Sequence, residues 1–204
     1  MTNLNNCYNI NATEGEIKSI DVCKMLLSFN EAVKEYGNQY QLSQTLAQQK
    51  VYKIEEGIYS TDKYVSDVVT VMKKYPKAVL TGEYAFYFHG LTDIVPEKYD
   101  IATPSKSARL KDDRIRQIYV RDDIFSLGIE ERKVAGGIIL IYDKERMLIE
   151  LLRNKNSMPY DLYKEILLHY RKIITELQLW RIQEYAAVFP KGKMISKALD
   201  EEVM

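Results

Sequence analysis

The sequence has few of the residues that define disulfide-rich, fibrous or disordered proteins. Its 204 residues include 2 cysteines, 5 prolines and 9 glycines. So few prolines and glycines exclude collagen-like and low-complexity chains, and two cysteines cannot build a disulfide framework or a four-cysteine zinc site. Cys7 and Cys23 are therefore expected to be reduced thiols. His89 and His169 complete a Cys₂His₂ count, but the spacing matches no zinc module, so we expect no metal and no cofactor.

The chain also lacks an excess of either charge and any long apolar run. Its 29 lysines and arginines balance 29 acidic residues, which removes a global positive charge as an argument for nucleic-acid binding and leaves only a local basic patch. No run approaches the ~18 to 20 apolar residues that a membrane span needs. The polar, asparagine-rich residues 1–11 do not resemble a secretory signal. We therefore expect a cytoplasmic protein that does not associate with membranes.

The first third of the chain has the order of elements of a winged helix-turn-helix. An apolar period over residues 14–27 predicts a helix. Ser28, with Glu31 three residues later, predicts the N-cap of a second helix that ends at Gly37. A third helix is predicted to run to about residue 49, and two β-prone runs around Gly57 predict a hairpin.

The remaining chain predicts a larger mixed domain. A helix over residues 62–75 ends before Pro76, where we place the domain boundary. Strands are predicted over residues 99–103, 115–120 and 137–142, and helices over roughly 144–154, 160–170, 173–188 and 192–202. The predicted fold class is therefore α+β. A winged helix-turn-helix domain (residues 1–75) is followed by a larger α+β domain (residues 76–204) that ends in a helical bundle.

The third predicted helix carries side chains suited to the major groove of DNA. Glutamine can pair with adenine N6 and N7, and serine can bond to either base edge. The predicted base contacts are Gln39, Tyr40, Ser43 and Gln44. The predicted phosphate contacts are Ser28, Asn30, Lys50, Lys53 and Tyr59, which lie at a helix start, after the third helix and on the hairpin.

The distribution of charge opposes DNA binding in the first 75 residues and favours it further along the chain. Residues 1–75 hold eight basic and nine acidic residues, whereas DNA-binding modules gain most of their affinity from phosphate neutralisation. A winged helix that serves as a protein-docking surface is therefore the alternative interpretation. The most basic stretch lies further along, from Lys106 to Arg121, with two aspartates among six basic residues. Its members that form a possible patch are Lys106, Arg109, Lys111, Arg114 and Arg116; a solvent-exposed strand edge is the equally weighted alternative.

Two further motifs carry carboxylates. Gly82, followed by a helix and a strand with Asp100, is typical of the start of a nucleotidyltransferase domain. That chemistry needs a second carboxylate close by on the strand, but Ile101 and Ala102 follow, so an inactive descendant is favoured over an enzyme. In the other motif Asp143 is predicted to cap a helix whose charged residues point outward; these are Glu145, Arg146, Glu150 and Arg153.

Three segments together resemble one known family. They are Tyr52–Tyr59 (YKIEEGIY), Glu83–Asp93 (EYAFYFHGLTD) and Tyr142–Arg153 (YDKERMLIELLR). In this order they resemble the AbiEi-type antitoxins, which are transcriptional regulators of abortive-infection (type IV) toxin–antitoxin operons in phage defence. The resemblance covers roughly residues 28–190.

The resemblance implies a non-enzymatic regulator. Its winged helix would bind inverted repeats in its own promoter and repress the operon. The second domain would help to counter a co-encoded nucleotidyltransferase-like toxin without forming a stable complex with it. The alternative is a protein-interaction module with a degenerate, inactive nucleotidyltransferase-like domain.

Overall fold

The computed structural model describes residues 26–203, which form a mixed α+β protein with two β-sheets. The α+β class is therefore confirmed. Cys7, Cys23, the asparagine-rich start and most of the helix predicted over residues 14–27 lie outside the described residues.

The first described elements are two short helices and three short strands. Their bounds are β1 Leu27–Ser28, α1 Phe29–Tyr36, α2 Gln39–Ala47, β2 Tyr52–Glu55 and β3 Ile58–Ser60. The strands pair antiparallel in the order β1-β3-β2. Both predicted helices and the predicted hairpin are confirmed, and Gly57 makes the hairpin turn with φ +76°.

Local capping explains why α1 and α2 begin where they do. The Ser28 N–H donates to Glu31 Oε2 at 2.7 Å and the Glu31 N–H donates to Ser28 Oγ at 3.4 Å, so the predicted capping box is present. Gly37 ends α1 with φ +98°. Asn38 then caps α2, because its Oδ1 accepts the Gln41 N–H at 2.9 Å.

A small apolar cluster holds these elements together. It consists of Ala32, Leu42, Val51 and Tyr59, with Leu46 among the residues packed against it. It is distinct from the main core. Since α2 contributes only Leu42 as a buried residue, most of its surface remains exposed.

Helix α3 (Asp67–Lys74) connects the first sheet to the second. Its buried residues Val68, Val69, Val71 and Met72 belong to the main core, and it contacts β8 as well as β1 and β3. The predicted domain boundary at residue 75 therefore directly follows a helix that contacts strands of both sheets.

The second sheet is mixed and, within residues 26–203, has five strands in the order β6-β5-β4-β8-β7. The strands are β4 Val79–Leu80, β5 Tyr99–Pro104, β6 Ile115–Val120, β7 Ile129–Val134 and β8 Gly137–Tyr142. The pairs β4–β8 and β5–β6 are parallel, and the other two are antiparallel. Strands β5, β6 and β8 were expected from the sequence, and β4 and β7 were not.

Helices surround this sheet. Their bounds are α4 Gly82–Phe88, α5 Asp122–Phe125, α6 Lys144–Arg153, α7 Tyr160–Ile173, α8 Leu179–Val188 and α9 Gly192–Ala198. The single helix predicted over residues 173–188 is interrupted by a 3₁₀ turn at Ile174–Glu176 and an extended Leu177. The Gln178 N–H donates to Glu145 Oε1 of α6 at 3.0 Å, so a tertiary contact fixes the new helix start.

The expectation that α6 points its charged residues outward was wrong. Arg146 is 0% exposed, and Glu145 and Glu150 are buried as well. The Arg146 guanidinium lies over the rings of Tyr142 (4.4 Å) and Phe189 (4.2 Å). It donates to the Ile124 carbonyl at 2.6 Å and to Glu150 Oε1 at 3.1 Å. Strands and helices enclose α6, so Arg146 and Glu150 pair with each other, and Glu145 accepts the Gln178 N–H, instead of facing water.

None of the helices between residues 26 and 203 is both long and apolar enough to cross a bilayer.

Candidate nucleic-acid interface

Helix α2 presents an uncharged, hydrogen-bonding surface. The predicted base contacts Gln39, Tyr40, Ser43 and Gln44 are all exposed, and Tyr40 is 70% exposed although it is a large aromatic side chain. The structure therefore brings these four residues together on the outside of one helix.

Internal hydrogen bonds organise this surface. The Gln44 amide Nε2 donates to the Tyr40 hydroxyl at 2.8 Å, which holds the two side chains side by side. The Ser43 hydroxyl donates to the Gln39 carbonyl at 2.9 Å, so its remaining capacity is as an acceptor.

The predicted phosphate contacts lie in different surroundings. Asn30, Lys50 and Lys53 are exposed. The Ser28 hydroxyl is engaged, because it donates to Glu31 Oε2 at 2.7 Å. A carboxylate beside Ser28 opposes a phosphate at the start of α1, where the helix dipole alone would favour one.

Tyr59 lies in the small core rather than on the surface. It is 7% exposed, and its ring centroid is 6.3 Å from that of Phe29. Its position on β3 faces Ala32 and Leu42, so the ring packs the hairpin against the helices. We therefore leave Tyr59 out of the candidate interface.

Ion pairs neutralise most of the acidic residues near α2. Lys73 Nζ lies 2.7 Å from Glu31 Oε2, and the Lys73 ammonium together with the Ser28 N–H lowers the pKa of Glu31 to about 2. Glu55, at the end of β2, pairs with Arg114 and also with Lys74 at 3.5 Å. Glu56 pairs with Lys53 at 2.6 Å, and this contact raises the pKa of Lys53.

These pairs change the charge that DNA would meet. The count over residues 1–75 overstates the repulsion, because Arg114, one of the cations that engage Glu55, lies outside it. From Gly37 to Ile54 the chain carries Lys50 and Lys53 and no acidic residue. The exposed surface around α2 is therefore neutral to weakly basic.

The basic stretch divides into paired and free cations. Arg114 donates to Asp112 through two nitrogens, at 2.9 and 2.8 Å; with Lys74 it holds the pKa of Asp112 well below its usual range. Arg116 is engaged by Asp100 and Glu83. Lys106, Arg109 and Lys111 are exposed, and none of them has an ion-pair partner within residues 26–203.

A groove of about 880 Å³ lies along this stretch. Its lining includes Lys98, Arg109, Lys111, Gln117 and Tyr119. Arg114, three residues after Lys111, contacts Glu55 at the end of β2, so the basic stretch meets the hairpin at this residue. The structure thus places the basic stretch beside the hairpin, a neighbour relation that the sequence did not reveal.

In the nucleotidyltransferase-like motif, an arginine side chain donates hydrogen bonds to both carboxylate oxygens of Asp100. Asp100 on β5 is 1% exposed. Its Oδ1 and Oδ2 accept from Arg116 at 2.5 and 2.7 Å, and Oδ2 also accepts the Glu83 N–H at 2.8 Å. Gly82 has φ +56°, and a Cβ there would lie 2.4 Å from Asp100 Oδ2, so only glycine fits. This carboxylate caps α4 and is neutralised by a guanidinium.

Within residues 26–203 no cluster of three or more histidine, cysteine or acidic side chains is arranged to hold a metal ion. Thr81, the residue directly before α4, makes no capping bond; its hydroxyl faces Met147 Sδ at 3.8 Å. Asp100 supplies the cap from the neighbouring strand instead.

Sequence reasoning missed two residues that shape the α2 surface. Asn38 caps the helix, and the Gln41 side chain folds back over Gly37, where its Oε1 occupies the space of a Cβ. The spacing of Asn38 and the first turn of α2 was the available signal for the cap. Nothing local indicated the position of Gln41.

Comparison with known proteins identifies a solved structure with a similar fold but assigns the chain to no family. No protein-family model matches the chain, and no curated protein matches it significantly. Among solved structures, the crystal structure of the RV2827C protein from Mycobacterium tuberculosis is similar, with a TM-score of 0.58 and 13% sequence identity. The match covers 86% of this chain and 71% of that one. At this identity the likeness shows a shared fold alone.

Proposed function

We propose that this protein binds duplex DNA sequence-specifically through a winged helix-turn-helix that comprises β1, α1, α2, β2 and β3. Helix α2 would lie in the major groove and the β2–β3 hairpin would be the wing. The observation that carries this proposal is the exposed, uncharged face of α2, which presents Gln39, Tyr40, Ser43 and Gln44 and is followed along the chain by the exposed Lys50 and Lys53.

Charge supports the proposal in a second way. Lys106, Arg109 and Lys111 are exposed, have no ion-pair partner in the described part of the chain and belong to the same basic stretch as Arg114, which contacts the hairpin at Glu55. A duplex seated on α2 and the hairpin would bring its phosphates toward them. The free cations would then contribute the non-specific affinity that the winged helix lacks.

We further propose that the DNA is the operator of its own operon and that the protein acts as an antitoxin. This role rests on the resemblance of the three segments described above to AbiEi-type antitoxins. In this antitoxin role the protein would repress transcription from inverted repeats. It would also antagonise a co-encoded nucleotidyltransferase-like toxin without forming a stable complex with it. Coexpression with the adjacent gene tests this role; restored growth without co-purification is the expected result.

A gel shift with the DNA upstream of its own gene tests the DNA-binding proposal. We expect a shift that an unrelated duplex of equal length does not compete away and that weakens as salt rises. Gln39→Ala and Gln44→Ala should each weaken it by about 5- to 150-fold, the value of one good base contact. Gln49→Ala, on the same segment beyond the end of α2, is the matched control.

The second candidate function is a protein-interaction module built on a degenerate nucleotidyltransferase-like domain. The Asp100–Arg116 pair favours it, because a guanidinium occupies both carboxylate oxygens. If no duplex gives a sequence-specific, salt-sensitive shift, this candidate replaces the first. Labelled-nucleotide transfer in the presence of magnesium separates it from an enzyme, and we expect no transfer.

A further inference from the structure

The chemistry of the α2 surface points to a particular class of base pair. This inference rests on the proposed DNA-binding function and concerns what α2 reads. Guanine is read by paired donors from arginine or lysine, and the cytosine amino group by aspartate or glutamate. Helix α2, with the sequence QYQLSQTLA, has none of these residues. Its exposed polar groups are amides and hydroxyls.

The hydrogen bonding of Gln44 leaves it with the functional groups that adenine requires. A glutamine amide has two N–H donors and one carbonyl acceptor. One donor of Gln44 is directed at the Tyr40 hydroxyl, at 2.8 Å. The second donor and the carbonyl remain, and they match adenine N7 and N6–H in the bidentate pairing of glutamine with adenine.

Tyr40 supplies an apolar surface next to that amide. Its ring is 70% exposed and lies one helical turn before Gln44, on the same face of α2. In the major groove a thymine is distinguished by its C5-methyl group, which is recognised by apolar contact.

Three neighbouring side chains on α2 are turned away and leave the pair of Tyr40 and Gln44 accessible. Gln41 folds back over Gly37, and the Thr45 hydroxyl donates to the Gln41 carbonyl at 2.7 Å. The Ser43 hydroxyl is turned toward the Gln39 carbonyl. Tyr40 and Gln44 are thus joined to each other, while these neighbours are turned toward their own helix.

We propose that α2 recognises an adenine–thymine half-site, in which Gln44 pairs with one adenine and the Tyr40 ring contacts the methyl group of a nearby thymine. The hydrogen bond between the two side chains fixes their spacing, so that the two bases are read as a unit.

The test begins with selection of bound duplexes from a random library by the full chain. In the selected duplex, one adenine at a time is replaced by 7-deazaadenine, which lacks the N7 acceptor, and one thymine at a time by uracil, which lacks the methyl group. We expect one 7-deaza position to weaken wild-type binding by about 5- to 150-fold. One uracil position should weaken it by about fourfold.

Variants assign these effects to side chains. Gln44→Ala should lose sensitivity to 7-deazaadenine, and Tyr40→Ala should lose sensitivity to uracil. Tyr40→Phe keeps the ring and removes the hydroxyl, so it should retain the uracil effect while the 7-deaza effect becomes smaller. Gln48→Ala, at the C-cap of α2, should behave as wild type in both assays.

Two kinds of failure are distinguishable. If the selection yields no duplex that binds in a salt-sensitive way, the proposed DNA-binding function fails. If selected duplexes bind specifically but their half-sites consist of G·C pairs, or the modified bases have equal effects on wild type and both alanine variants, the adenine–thymine inference is overturned while DNA binding stands.

Discussion

At the residue scale, burial decides which polar side chains are accessible to a binding partner. Arg146, Asp100 and Tyr59 each have side chains that sequence reasoning treats as surface or site candidates, yet each is less than a tenth exposed. Each of them contacts partners distant in the sequence: Arg146 contacts the Ile124 carbonyl, Asp100 contacts Arg116, and Tyr59 packs in the small apolar cluster. Such partners leave no local trace in a sequence pattern.

His89 gives a prediction at this scale. Its Nε2 lies 2.7 Å from the Tyr142 carbonyl, and burial lowers the pKa of the imidazole below its ordinary value of 6.5. Below that value the unfolded chain binds a proton that the folded protein resists, so stability falls as the pH drops from about 6.5 toward the folded pKa.

Urea unfolding at several pH values checks this. The wild type should lose up to about 1.4 kcal/mol per pH unit from this group, and His89→Gln, which keeps a donor for the carbonyl, should show a shallower slope. Parallel slopes for the two proteins would show that His89 is not responsible.

At the element scale, the sequence predicted those helix ends and turns that are determined by contacts between residues close in the chain. The capping box at Ser28, the end of α1 at Gly37 and the hairpin around Gly57 are fixed by neighbouring residues, and they were predicted. Strand β7 was missed because its charged sequence, IEERKV, is that of a solvent-facing edge strand without an apolar alternation. The break before α8 follows from the contact of Gln178 with Glu145, which sequence periodicity cannot show.

The Asn38 cap gives a prediction at the element scale. Asn38→Ala removes the acceptor of the Gln41 N–H and should lower the free energy of unfolding by about 1 kcal/mol. Amide exchange at the start of α2 should accelerate. Asn30→Ala is the matched control: Asn30 is exposed within the first turn of α1, so its unfolding free energy should change by less than about 0.5 kcal/mol.

At the scale of the whole molecule, the two sheets form a connected body. Helix α3 packs in the main core while contacting β1 and β3, and Glu55, Lys74, Asp112 and Arg114 form a charge network between the hairpin and the start of β6. Of the candidate site, the exposed residues of α2 were predictable from helical periodicity. The separation of the basic stretch into paired and free cations was not, because it depends on contacts across up to 59 residues, such as Glu55 with Arg114.

The free cations give a prediction at this scale. Reversing Lys106, Arg109 and Lys111 to glutamate should flatten the dependence of log K on log salt by about 2 to 3, because each lost phosphate contact removes roughly 0.9. Arg114 is left out, since its partners are Asp112 and Glu55. Reversal of Lys164, Lys172 and Lys193 on α7 and α9 is the charge-matched control. An equal flattening by both triple variants would indicate a general charge effect and not a contact surface.

The bridge from Glu55 to Arg114 and Lys74 has a consequence for how titrations with salt are interpreted. Added ions compete with the phosphates for Lys106, Arg109 and Lys111, and they also screen the attraction that keeps the hairpin against its neighbour. Both processes weaken the complex. The measured dependence of log K on log salt therefore reflects the counterions displaced from the DNA and also the weakened ion pairs between Glu55, Arg114 and Lys74. Glu55→Gln, which removes the second contribution while sparing every proposed DNA contact, separates the two.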